Sequence, residues 1–263
     1  MKRLVAWMFA LVLMAVSAAA AEIPCEGEYP MHLQGVAADA EGLVWSFTTT
    51  LVRTDFEGRK LVEVPVPNHH GDLCCREGKV YVAVCLGRFN RPNPPGKNFI
   101  YEYDAATLKL VTRHPADELL YGAGGIAFGN GVFCGVGGLP EGEKANLVVE
   151  YTPDFKLVRK IEIPGYTRMG IQTACFLNDR WLFGLYDKPE LRGYATTDYA
   201  PLPTIEPAAP GGRVNYSCGM TLLSDGRFAA AVTAKRRTPE GKTLHSAKLV
   251  TFTRDAEGRL VRE

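Results

Sequence analysis

The sequence predicts an all-β domain built from five repeats of four antiparallel strands. Three observations predict it. One motif returns at near-constant spacing, a second motif precedes each copy of the first, and the composition suits short strands with tight turns, with 27 Gly and 17 Pro among 263 residues.

Before the repeats comes a leader. Lys2 and Arg3 precede an apolar run over 4–16, and Ser17 and Ala18 to Ala21 follow. A charged start, a short apolar stretch and a small-residue cleavage zone make residues 1–21 an expected signal peptide, leaving one domain over 22–263. The apolar run is shorter than the roughly 20 residues of a spanning helix. The mature protein is therefore expected to be secreted or periplasmic, free of the membrane after cleavage, and monomeric. A net charge of +1 lacks the basic excess of a nucleic-acid-binding protein. Of the seven cysteines, the odd count leaves at least one unpaired within the chain, and no CxxC occurs. Cys74 and Cys75, being adjacent, are expected as two separate buried thiols.

The first repeat motif is a turn around an acidic residue followed by Leu-Val. It reads Asp55-Phe56-Glu57-Gly58-Arg59-Lys60-Leu61-Val62, then Asp104 to Leu110-Val111, Asp154-Phe155-Lys156-Leu157-Val158, and Asp255 to Leu260-Val261. The intervals from Asp55 to Asp104 to Asp154 are 49 and 50 residues, and the last interval is double that, so a degraded copy is expected at Asp198-Tyr199. The second motif pairs a small-residue strand with an aromatic one: Gly35-Val36-Ala37-Ala38 with Val44-Trp45-Ser46-Phe47, then strands from Gly71, Gly124, Gly170 and Cys218 with partners at Val80, Val132, Trp181 and Arg227. Small residues allow innermost strands to converge; the outer strands are expected to pack unit on unit through their large apolar residues.

Five units of about 47 residues, each with four strands, resemble the blades of five-bladed β-propellers of the secreted bacterial type, from about His32 to the C-terminus. The resemblance implies a ring around a central channel and names no activity. A six-bladed ring and a β-sandwich are the rival folds; the even spacing disfavours the sandwich.

The resemblance places the ligand mouth at two sets of loops: those leading into each innermost strand, and those joining the second and third strands of a blade. The first set carries His32, Gln34, His69, His70, Tyr121, Arg168 and Tyr216. The second is expected at 48–50, 87–98, 137–146, 186–193 and 235–246. Its four long members hold ten cations, among them Arg88, Arg91, Lys144 and Lys235, against five carboxylates, a field that attracts anions.

Within this set, His70 and Asp72 stand two apart on a strand, so they are expected to share a face and to serve as a catalytic acid–base pair. His32, Gln34, Arg88, Asn90, Gln172, Tyr186 and Asp187 are the expected ligand-binding residues. Asp72 with Asp187 would be the two carboxylates of a hydrolase; His70 with Arg88 would be the base and cation of a lyase on uronates. No His, Cys or carboxylate set has zinc spacing, so no metal or cofactor is assigned. Ser217-Cys218-Gly219 lacks the nucleophile-elbow glycine, and Asp39 to Trp45 is similar to a sialidase Asp-box turn with one residue too many. The sequence thus predicts a small-ligand site for an anionic sugar at the channel mouth, catalytic or not; the alternative is a non-catalytic propeller that binds a glycan or an exported protein.

Overall fold

The strands alternate residue by residue between two neighbouring cores, and this alternation builds the whole molecule. The computed structural model describes residues 22–186, 188, 190–203, 214, 216–254 and 260–262; the expected leader over 1–21 and Asp187 lie outside the described residues. Strand β1 (Glu22–Tyr29) comes first. Blade 1 holds β2 (Gly35–Ala38), β3 (Leu43–Ser46), β4 (Thr48–Thr54) and the first half of β5 (Lys60–Arg76). Blade 2 holds the rest of β5, then β6 (Lys79–Cys85), β7 (Asn98–Asp104) and β8 (Leu110–Pro115). Blade 3 is β9 (Ala123–Gly129), β10 (Val132–Gly137), β11 (Ala145–Tyr151) and β12 (Leu157–Pro164). Blade 4 is β13 (Ile171–Leu177), β14 (Arg180–Leu185) and β15 (Leu191–Ala195), with a bridge from Tyr194 to Pro201 on its outer side. Blade 5 is β16 (Met220–Leu222), β17 (Phe228–Arg237) and β18 (Thr243–Arg254), flanked by β19 (Leu260–Arg262). Pairing within every blade is antiparallel.

The protein is a five-bladed β-propeller. In β2, Val36 joins the core shared with blade 5 while Ala37 joins the core shared with blade 2; such two-faced burial is what a period of two gives a strand packed on both sides. Three further boundaries behave likewise, so five blades enclose five separate cores. A stack of five open sheets would have four. The fifth core closes the ring, and β16 returns to contact β2. Closure is fastened by β1, which pairs antiparallel with β18 and buries Ile23, Cys25 and Tyr29 between blades 5 and 1.

The acidic turns have a clear local cause. The Asp55 carboxylate accepts the N–H groups of Glu57 and Arg59, Asp104 accepts that of Thr107, and Asp198 accepts that of Ala200; these are side-chain-capped turns between third and fourth strands. The copy at Asp198 is thus the fourth of the series. The Leu-Val pairs differ from expectation. Leu61, Leu110 and Leu157 are exposed, as are Val111 and Val158. Blades diverge with distance from the axis, so these pairs face solvent, while Ile163 on β12, Leu260 on β19 and the side chains of β1 still reach the cores. No disulfide joins any of the seven cysteines, and Cys74 and Cys75 are separate, half-buried thiols.

Candidate functional site

One end of the ring opens into a cavity of about 620 Å³. Its lining comes from four blades: His32 and Gln34 before and at the foot of β2, His69 on β5, Phe89 after β6, and Met169, Gln172 and Tyr186 around blade 4. Ser217, Cys218, Thr233, Ala234, Lys235 and His245 complete it from blade 5. The blade 5 wall was expected as a loop over 235–246. It is instead a continuation of the sheet, with Lys235 paired to His245 and Arg237 to Thr243, so only residues 238–242 form the turn. Glu28 pairs with the Arg236 guanidinium and Tyr29 pairs with His245 across the sheet, so β1 also buttresses this wall.

At the cavity floor, the Gln34 amide nitrogen donates to His32 Nε2 at 3.0 Å and His69 Nε2 at 2.9 Å, with Thr48 Oγ1 at 3.2 Å. The amide nitrogen has two hydrogens for these three contacts, and an imidazole to which it donates presents its Nε2 lone pair. Burial holds His69 neutral, with its pKa lowered to about 4, and the neighbouring His32 adds to this. His32 is lowered too, by burial first and then by His245, whose ring lies 6.1 Å away. His69 stacks on Phe89 at 5.0 Å. Phe89 reaches in over Gly122, where a Cβ would come within 2.8 Å of its ring, so glycine admits this aromatic wall. On the blade 4 side the Arg168 guanidinium lies over the Tyr186 ring at 5.6 Å.

Among the expected ligand-binding residues, His32, Gln34, Gln172 and Tyr186 meet in this cavity. Arg88 is exposed on the rim and does not line it. Asn90 sits beside Gly138 with its backbone N–H donating to Tyr121 O at 2.8 Å, also outside the lining. Asp187 lies outside the described residues. His70 and Asp72 correct the expectation of a shared face. The register of β5 against β6 shifts between His70 and Leu73, which breaks the two-residue alternation. His70 turns outward into the interblade core, with Nε2 2.7 Å from the Tyr103 hydroxyl and Nδ1 2.6 Å from Pro67 O. Asp72 points to the ring axis, where its Oδ2 accepts the Ala174 N–H at 3.0 Å. Both are fully buried and neither lines the cavity. His69, His245 and Lys235, which do line it, were not singled out among the expected ligand-binding residues; His69 is separated from His70 by one step of strand parity.

Among the described residues, no group of three or more His, Cys, Asp or Glu side chains could hold a metal ion, and no helix is long and apolar enough to cross a membrane.

No family model matches the chain, and no curated protein matches it. Solved structures do. The crystal structure of Myxococcus xanthus glutaminyl cyclase aligns with a TM-score of 0.57 at 12% identity, covering 88% of this chain and 97% of that one. A protein of unknown function from Bacteroides caccae aligns with a TM-score of 0.52 at 14% identity, covering 90% and 83%. At these identities the likeness establishes the fold.

Proposed function

We propose that this propeller binds a small anionic ligand, an acidic sugar, in the cavity at the channel mouth. One observation carries the reading: the described lining holds three imidazoles, two carboxamides and the Lys235 ammonium, and no carboxylate. Amides and hydroxyls hydrogen-bond sugar hydroxyls in both directions, Phe89 and Tyr186 offer flat apolar faces, and the cation favours a carboxylate or sulfate. The cavity volume is within the range of small-molecule sites. In this reading the protein is exported and works as a monomer.

A second reading comes from the Myxococcus glutaminyl cyclase, whose fold this chain shares. Cyclising an N-terminal glutamine uses its α-amino group as the neutral amine, which attacks the side-chain carboxamide as ammonia leaves. The described lining, with the Lys235 ammonium and no carboxylate, suits an anionic ligand better than an uncharged reacting end, so the acidic-sugar reading is preferred.

Titration calorimetry of the mature protein tests it. Galacturonate or glucuronate should bind and glucose should not, and His69→Ala and Lys235→Ala should each weaken binding by roughly tenfold or more, the loss of one charge-assisted or buried polar contact. Binding of a glutaminyl peptide with no binding of any acidic sugar would replace this reading with the second.

A further inference from the structure

We propose that the mouth ligand is one unit of an acidic polysaccharide, whose flanking units lie along a cationic track on the mouth face. The proposal rests on the acidic-sugar reading and names its substrate class.

The two ends of the ring treat their cations differently. At the end away from the mouth, basic side chains are neutralised by neighbours in the same or the adjoining turn: Arg53 by Asp39 at 2.8 Å, Arg59 by Asp55 at 2.6 Å, Lys156 by Asp154 at 2.7 Å and Arg227 by Asp225 at 2.7 Å. At the mouth end, Lys188 and Arg192 pair with Glu190 and Arg236 pairs with Glu28, but Arg88, Arg91, Lys97, Lys144 and Lys242 are exposed and have no ion pair among the described residues. None of these five lines the cavity, so a ligand confined there leaves them unused. Unpaired like charges gathered on one face repel one another and are compensated by an anionic partner.

Four of these cations, Arg88, Arg91, Lys97 and Lys144, lie on connected loops. The 86–97 loop is bonded to the next blade through Asn90 N–H to Tyr121 O at 2.8 Å, and Gly138 of the 138–144 loop lies against Asn90. Lys144 O accepts the Gly165 N–H at 2.8 Å, which brings the loop carrying Tyr166 and Arg168 alongside. Arg168 reaches Tyr186 at the cavity edge. Along this path Leu120, Tyr166 and Tyr186 are exposed, apolar faces on which sugar rings rest between the charges. Charge on the rim, stacking faces between, and a polar cavity at the end match a chain of acidic sugars.

The test compares binding of galacturonate, its oligomers of rising length, a sulfated oligosaccharide series, polyglutamate and a single-stranded oligonucleotide. The variant is the triple substitution Arg91→Gln, Lys97→Gln, Lys144→Gln, all at exposed positions outside the cavity. The oligomers should bind at least about tenfold tighter than the monomer through added contacts, with a steep loss in salt. The triple variant should lose most of that gain and its salt dependence while binding the monomer as before. The carboxylated and sulfated series say which anion is read. If the monomer binds and oligomers gain nothing, or the triple variant keeps the gain, the track is refuted and the cavity reading stands. If no acidic sugar binds at any length, both fall. Equal binding of polyglutamate or the oligonucleotide would make the face a general polyanion surface and overturn the polysaccharide assignment.

Discussion

Asp72 lies where three blades meet. Its Oδ2 takes the Ala174 N–H from blade 4, its Oδ1 makes no hydrogen bond, and a Cβ on Gly35 of blade 1 would stand 2.4 Å from that oxygen. Complete burial pushes its pKa well above 3.8, only partly offset by the N–H groups of Ala174, Leu73 and Val36. Below that value folded and unfolded chains both hold the proton. As pH rises, the unfolded chain releases it and the folded chain does not, so the wild type loses stability until the raised folded pKa is passed. Urea denaturation should therefore find Asp72→Asn gaining on the wild type between pH 4 and pH 7; a constant difference would mean the carboxyl is not held neutral. The sequence shows that polar residues cluster at 69–72, but which of them faces the mouth depends on a register shift in β5 that no pattern of side chains announces. His69 with His32 and Gln34 is legible once the shift is known, because each sits just before or at the foot of an inner strand.

At the scale of elements, the inner strands meet almost backbone to backbone. A Cβ on Gly71 would stand 2.3 Å from Gly124 O of the next blade. Gly71→Ala should cost about 1–3 kcal/mol, as overpacking does, read by chemical denaturation; an unaffected midpoint would mean blades 2 and 3 can part freely. The turns carry a second device. Leu108, Phe155 and Tyr199 adopt φ of 53°, 60° and 56° at corresponding turns of blades 2, 3 and 4. Leu108 and Tyr199 are buried under their blades, and Phe155 stacks on His114 at 3.9 Å and on Phe133 at 4.6 Å. The repeat period and the acidic turns were legible because both recur with each blade. The clasp was not: β1 occurs once, and Pro24 and Gly27 interrupt the alternation of Ile23, Cys25 and Tyr29. The length of the blade 5 hairpin was hidden too, because its cations read as loop while its pairing with β1 and β18 makes it strand.

For the whole molecule, ring closure follows from an early strand, β1, pairing with a late one, β18, in one blade. Deleting residues 22–29 removes Ile23, Cys25 and Tyr29 from the core between blades 5 and 1 and bares the β18 edge. The melting temperature should fall and the protein should self-associate through that edge; calorimetry and sedimentation would show both, and an unchanged melting temperature would contradict the role of β1 as the clasp. The same strand steadies the mouth wall through Glu28 and Arg236, so stability and ligand affinity should decline together.

The cavity itself is tested most directly by its histidines. The chain has five, of which His32, His69 and His245 line the mouth, while His70 and His114 lie elsewhere. Imidazole ring correlations of 15N-labelled protein, recorded while galacturonate is added to saturation, separate the two groups. With the ligand in the mouth cavity, the resonances of His32, His69 and His245 should move together with one dissociation constant and those of His70 and His114 should stay in place. Movement confined to His70, or no movement at the three mouth imidazoles, would contradict it.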